Sequence, residues 1–333
     1  MLKVLSPLLS MQSFLPIRRP AFLCLCLVLA GAGSGTADGP ALLMPGIAAA
    51  LTRSIPAEPA SVLTGSQFAE RIDKLDSGAR EQAIEKEILA GHMPGFLRNL
   101  IPVTLSYTSP QGKSVHATIF TMPEYLAIGT DTNFLRIPMN LYTASAVARR
   151  LGFILPTRKM VDAIYAQSAF HYSPEPMTAG PEMRSTRYYV VHNGKVEAQS
   201  RSLGVTIGAL VSGHKKDVVI TNRLDHNPGR IAIYGWQRPG GAPIQPLSTV
   251  HGACYADYSH GIRLISETVL VDGAPRSVYD LLQDPALAGV LSDEGPMPNV
   301  RSLLSGAADQ SCGQSQTAAV AGSATALPHP RLF

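Results

Sequence analysis

The stretch "VTLSYTSPQGKSVHATIFTM", from Val103 to Met122, decides how the rest of the chain is read. Apolar and polar residues alternate on both sides of a Pro110 to Gly112 interruption. That is the period of a half-buried strand, and a Pro/Gly turn between two such runs predicts an antiparallel hairpin. Upstream, "SQFAERIDKL" (66–75) and "AREQAIEKEILAG" (79–91) have helical spacing, with Ser66 and Ser77 as N-caps and Gly91 as a stop. Downstream, "TASAVARRLG" (143–152) and "TRKMVDAIYAQSA" (157–169) are again helical, the first capped by Thr143 and stopped by Gly152, the second preceded by Thr157. "YYVVHNGKVEAQ" (188–199) reads as a hairpin, because Asn193-Gly194 supplies the positive backbone angles of a tight turn.

Further strands are expected at "DVVITN" (217–222), "RIAIYG" (230–235) and "IRLISETVLV" (262–271), and short helices at "SVYDLL" (277–282) and "DPALAGVL" (284–291). N-terminal helices followed by a largely antiparallel sheet with interspersed helices make an α+β fold. Strand and helix segments do not alternate regularly and there is no Gly-rich phosphate loop, which argues against a doubly wound parallel sheet.

The first residues speak to location. Arg18-Arg19-Pro20 precede "AFLCLCLVLAGAG" (21–33), which passes into Gly35-Thr36-Ala37. A positive start, a short apolar run and a small-residue exit predict a secretory signal peptide over 1–37, with either Met1 or Met11 as the start. The run is shorter than the roughly 20 apolar residues of a spanning helix. The mature protein is therefore expected to be secreted or periplasmic, without a membrane span. The Ala/Pro/Ser-rich segment 38–64 is expected as a flexible leader, 65–304 as a single α+β domain, and the Ala/Gly/Ser/Gln-rich segment 305–333 as a disordered tail.

The formal charge of the whole chain is +4, yet Lys3, Arg18 and Arg19 and no acidic residue lie in 1–37. The remainder is near +1, and no Lys/Arg cluster with interleaved aromatics points to nucleic acid. Two of the four cysteines, Cys254 and Cys312, lie beyond the signal segment. In an oxidising compartment such a pair reads as a disulfide, which competes directly with a catalytic role for Cys254.

The densest concentration of reactive groups is "VHGACYADYSHGIRLI" (250–265), which holds His251, Cys254, Tyr255, Asp257, Ser259, His260 and Arg263. It follows a long Gly/Pro-containing connection that begins beside Trp236, the only tryptophan. A second group, His214, Lys215, Lys216 and Asp217, enters the strand expected at 217–222. If the two strands are neighbours, both groups line one cleft.

Here a family resemblance appears. His251-Gly252, and Ser259-His260-Gly261 followed by Ile262-Arg263, resemble the two halves of the L,D-transpeptidase catalytic motif, which serves cysteine-dependent remodelling of peptidoglycan. The likeness covers about a dozen residues. The chain departs from the family where the nucleophile stands, because no cysteine separates Gly261 from Ile262. Without that thiolate the acyl-enzyme route is closed at this position.

Three chemistries fit these residue types. A hydrolase would use His251 or His260 as base, Asp257 to orient it, and Ser259 or Cys254 as nucleophile, with Tyr255 and Arg263 polarising the substrate. A zinc hydrolase would take His214, Asp217 and His251 or His260 as ligands and hold a water in the open position. A secreted binding module would recognise a saccharide or peptide through Trp236, Tyr255, Tyr258, Arg263 and the two lysines. Taken one at a time, each histidine is better read as an ordinary surface or hydrogen-bonded residue, and Lys215-Lys216 as a solvated loop; His92, His116, His171 and His192 are placed in turns or at helix ends. Concentration is what favours a site. The expectation is an exported hydrolase acting on a polymeric or peptide substrate of the cell envelope or its surroundings.

Overall fold

The computed structural model describes residues 40–308 except 62 and 110, together with 310 and 312. The expected signal peptide, 1–37, lies outside the described residues.

Eight α-helices are described: α1 (Pro40–Leu51), α2 (Gly65–Ile72), α3 (Ser77–Leu89), α4 (Leu141–Leu151), α5 (Arg158–Gln167), α6 (Thr186–Leu203), α7 (Val278–Gln283) and α8 (Val300–Ala308). The strands, in chain order, are β1 (Ile101–Thr108), β2 (Ser114–Thr121), β3 (Ala127–Thr130), β4 (Asn133–Arg136), β5 (Phe153–Ile154), β6 (Phe170–His171), β7 (Val211–Ser212), β8 (Lys216–Val218), β9 (Ile233–Gln237), β10 (Pro243–Ser248), β11 (His260–Gly261), β12 (Ile265–Ser266), β13 (Thr268–Val271) and β14 (Ala274–Ser277). This is an α+β fold with mostly antiparallel pairing.

The Val103–Met122 hairpin organises the larger sheet. β1 and β2 pair from Ile101 opposite Thr121 to Thr108 opposite Ser114. The same β2 receives β12 at Thr121 and β13 at Ala117 and Thr118, giving the order β14-β13-β2-β12-β5 with β1 beside β2. Inward-facing Val103, Leu105, Val115, Ala117 and Ile119 are buried in the main core. A second sheet, β10-β9-β8-β11, is antiparallel except for its last pair, in which His260 lies opposite Lys216 and Gly261 opposite Asp217 in parallel.

Local capping differs from expectation at three helices. Thr64, not Ser66, caps α2: its hydroxyl accepts from Gln67 N–H while the Gln67 side chain accepts from Thr64 N–H, a reciprocal capping box. Asp76 caps α3 and Asn140 caps α4, in place of Ser77 and Thr143. Thr157 does cap α5, and Gly152 closes α4 with φ 75°.

The largest correction concerns 188–199, which is not a hairpin but the middle of α6. Tyr189, His192 and Val196 fall on one buried face at helical spacing, Ser185 caps the start and Gly204 the end. Asn193 is used on the helix surface: its side-chain oxygen accepts from Arg136 N–H and its amide donates to Phe134 O, both 59 or fewer residues away in β4. That tertiary anchoring outweighs the roughly 1 kcal/mol a mid-helix glycine costs. Two smaller differences follow the same logic. The 262–271 run is divided into β12 and β13 around Glu267, and 284–291 holds only a 3₁₀ turn, Ala288–Val290.

The ends are more ordered than composition implies. Within 38–64, expected as a flexible leader, α1 forms, Ala48 and Ile55 join the core, and Pro56 O accepts from Arg98. The expected boundary at 304 cuts through α8, whose Leu304 and Ala307 are buried and which packs on α4. Cys312 is bonded to Cys254, so the disordered-tail reading is corrected as far as residue 312. The rest of 305–333 lies outside the described residues. Among the described residues no helix is long and apolar enough to cross a membrane.

Candidate functional site

The pairing of β8 with β11 brings the two groups of reactive residues together, and strand geometry then separates them again. Successive side chains on a strand face opposite sides of the sheet. Lys216 and His260 go to one side, while Asp217 and Gly261 face the core at Tyr125.

The core side is a closed network. Glu124 is buried; its Oε2 accepts from Arg136 Nε at 2.8 Å and its Oε1 lies 2.9 Å from His214 Nε2. Arg136 also donates to Glu197 Oε1 at 2.6 Å. Burial works to raise the Glu124 carboxyl, but Arg136 and then His214 outweigh it and hold the group well below the usual carboxylate range. His214 is itself pushed down to about 4 by burial, against the pull of Glu124. Asp217 accepts from Tyr125 OH at 2.8 Å, and burial pushes it up to about 7 despite Arg263. Arg263 is 1 % exposed, donates to Met122 O and Val211 O, and lies over the Tyr125 ring. Its guanidinium is committed to these carbonyls and ties the end of β2 to β7.

The outer side holds the rest. Asp257 closes a tight turn, its Oδ1 accepting from Ser259 N–H at 2.8 Å and from Ser259 Oγ at 2.5 Å, and its Oδ2 accepting from Tyr255 OH at 2.9 Å. Burial pushes Asp257 up, and His260 together with the two Ser259 donors brings it below its ordinary value. The half-buried rings of His251 and Tyr255 stack with centroids 4.1 Å apart, and Tyr255 meets His260 edge-on at 5.7 Å. His260 is 1 % exposed, and among the described residues neither of its ring nitrogens has a hydrogen-bond partner. Burial brings it down to about 4, so its ring is neutral near pH 7. His251 is lowered for the same reason, opposed by Asp257 and aided by Lys216 and Arg230.

Several expected roles do not survive this geometry. Cys254 is bonded to Cys312 and has no free thiol for nucleophilic attack. Ser259 is fully buried, its hydroxyl is committed to Asp257, and no histidine accepts from it. The expected metal set is dispersed: His214 turns to Glu124, Asp217 to Tyr125, and His251 stacks on Tyr255. Among the described residues no group of three or more His, Cys, Asp and Glu is placed to hold a metal ion. Trp236 and Tyr258, expected as recognition surfaces, are 5 % and 2 % exposed.

Sequence reading also missed residues. Lys215, taken for a solvated loop lysine, is 1 % exposed, donates to Tyr258 O at 2.5 Å and is brought down to about 7 by burial. His192 lies mid-helix and buried beside the Tyr258 ring, both ring nitrogens without partners among the described residues, and burial keeps it neutral. Glu124 and Arg136 carried a readable signal, each a lone charge inside an apolar run ("MPEYLAI", "FLRIPM"). Trp236 takes φ 57°, rare for a non-glycine residue, as its N–H donates to Lys215 O. Such strain concentrates at functional places.

Comparison with known proteins gives no kinship: no protein-family model, curated protein or solved structure matches this chain.

Proposed function

We propose that the protein is an exported hydrolase acting on a polymer of the cell envelope or its surroundings, with His260 as the proton acceptor that activates water. One observation carries this reading: a buried, neutral imidazole with both nitrogens unpaired, set beside Asp257 and beneath the stacked His251 and Tyr255. Leaving a buried polar group unpaired costs about 1–3 kcal/mol, so such a group calls for an explanation, and a catalytic role beside Asp257 supplies one. His260 takes the proton of the attacking water and returns it to the leaving group. Tyr255 and Ser259 hold Asp257, and Asp257 favours the protonated imidazole that forms in between. With Cys254 bonded and Ser259 committed, water is the nucleophile.

The exported setting is supported by the Cys254–Cys312 disulfide, since such bonds persist in oxidising compartments. The envelope substrate draws on that setting and on the likeness of His251-Gly252 and Ser259-His260-Gly261 to the L,D-transpeptidase motif. The test is to incubate the chain from Asp38 onward with cell-wall peptides and saccharide polymers and to follow release of ends. His260→Gln is expected to lower the rate by about 100-fold or more with the circular dichroism spectrum retained. In the wild type the acid limb of the pH profile should fall near pH 4, where His260 takes its proton. An unchanged rate in the variant would place the chemistry elsewhere.

A further inference from the structure

The outer cluster is ringed by cations. Arg184, at the end of the turn Pro181–Arg184 before α6, is exposed and stands 5.5 Å from the Tyr255 ring centre. Lys216 on β8 is half-buried, its Nζ 5.0 Å from the Trp236 ring. Arg230 is exposed, pairs by a backbone bridge with Gly252, and donates to Val250 O at 2.7 Å. Among the described residues, no carboxylate lies within ion-pairing distance of any of the three.

The buried acids near them are occupied or weakly charged. Asp257 is buried with both oxygens bonded to Tyr255 and Ser259. Glu81, which Arg184 reaches electrostatically, is pushed up to about 7 by burial and so is only partly ionised near neutral pH. Lys216 and Arg230 both lie close enough to His251 to lower it electrostatically. Residues 38–333 are near neutral overall, so these cations are not part of a general excess of positive charge.

We propose that the substrate is an anionic saccharide polymer whose acid groups are held by Arg184, Lys216 and Arg230 while His260 acts on a neighbouring linkage. The inference rests on the reading of the His251 to His260 cluster as the active site. The three cations come from three separate segments, which suits a polymer carrying a charge on every repeat. A peptide offering a single terminal carboxylate would engage one of them. Arg184 and Arg230 also present planar guanidinium groups suited to two-point contact with a carboxylate.

The experiment measures retention of the chain from Asp38 onward in affinity electrophoresis gels containing polygalacturonate, dextran sulfate, neutral dextran or poly-L-glutamate, and assays release of reducing ends in parallel. Retention by an acidic saccharide and not by dextran is expected, with carboxylate and sulfate arms identifying the preferred anion. The double variant Arg184→Gln/Lys216→Gln should lose about tenfold in affinity, and Arg184→Lys/Lys216→Arg should recover most of it. Equal retention by dextran, stronger retention by poly-L-glutamate, or an unaffected double variant would overturn the proposal. Binding of the acidic saccharide without product would keep the three-cation binding site and sink the hydrolase reading. Product from a neutral polymer with no acidic saccharide bound would do the reverse.

Discussion

Gly261 lies directly against Tyr125: a methyl group added at Gly261 would stand 2.6 Å from Tyr125 Cδ1 and 2.7 Å from Lys215 Cβ. Tyr125 is 1 % exposed and tied to Asp217, and Lys215 is equally buried, so neither can move aside freely. Gly261→Ala should destabilise the protein by roughly 1–3 kcal/mol, the usual cost of overpacking a core. It should also disturb the neighbouring His260. A denaturant midpoint equal to that of the wild type would show that β8 and β11 are not held this tightly.

Cys254 stands between His251 and Asp257, and its bond to Cys312 closes a loop over a sequence separation of 58. The chain-entropy model assigns a loop of that length about 4 kcal/mol of stabilisation. Reduction of the native protein, or Cys254→Ser/Cys312→Ser, should therefore lower the unfolding midpoint by a matching amount. Thiol titration of these two residues under native, non-reducing conditions should read zero. Two reactive thiols in that assay would remove the bond from the account and reopen Cys254 as a nucleophile.

Glu81 gives a pH signature with a defined sign. It is 7 % exposed, accepts from Asn140 N–H, and is raised by burial from an ordinary 4.5 to about 7, against Thr143, Asn140, Arg80 and Arg184. A carboxyl raised on folding contributes stability that is full below its unfolded value and is lost as pH climbs through its folded value. Wild type should thus lose stability relative to Glu81→Gln between pH 5 and pH 8, by roughly 3 kcal/mol. Thermal midpoints of both proteins across that range provide the check; parallel curves would mean that Glu81 is ionised throughout.

The fold class was legible because periodicity and turn residues act locally. The 103–122 alternation, the 157–169 helix and the Gly152 stop each depend on near neighbours, and each formed. The 188–199 segment defeated the same reasoning. Asn193-Gly194 is a turn signal only while its side chain lacks the β4 partners that the tertiary fold supplies. The candidate site was legible as a concentration of residue types, but not as a geometry. His214, Asp217 and Arg263 look equivalent to His251, Asp257 and His260 in sequence. The parallel register of His260 opposite Lys216 turns Asp217 toward Tyr125 and His260 to the opposite face, and register is a long-range property.

That division makes a prediction about metal. A zinc site from His214, Asp217 and His251 would need His214 and Asp217 to release Glu124 and Tyr125, each a buried bond below 3.0 Å. Buried donors and acceptors resist that exchange, because every released group must be paired again. Elemental mass spectrometry of the dialysed chain from Asp38 onward should find far less than one zinc per molecule. His214→Ala should leave that content unchanged while lowering the unfolding midpoint, since Glu124 loses one of its buried partners. One zinc per chain in the wild type, absent from His214→Ala, would overturn this assignment and turn His214 from a brace of the core into a ligand.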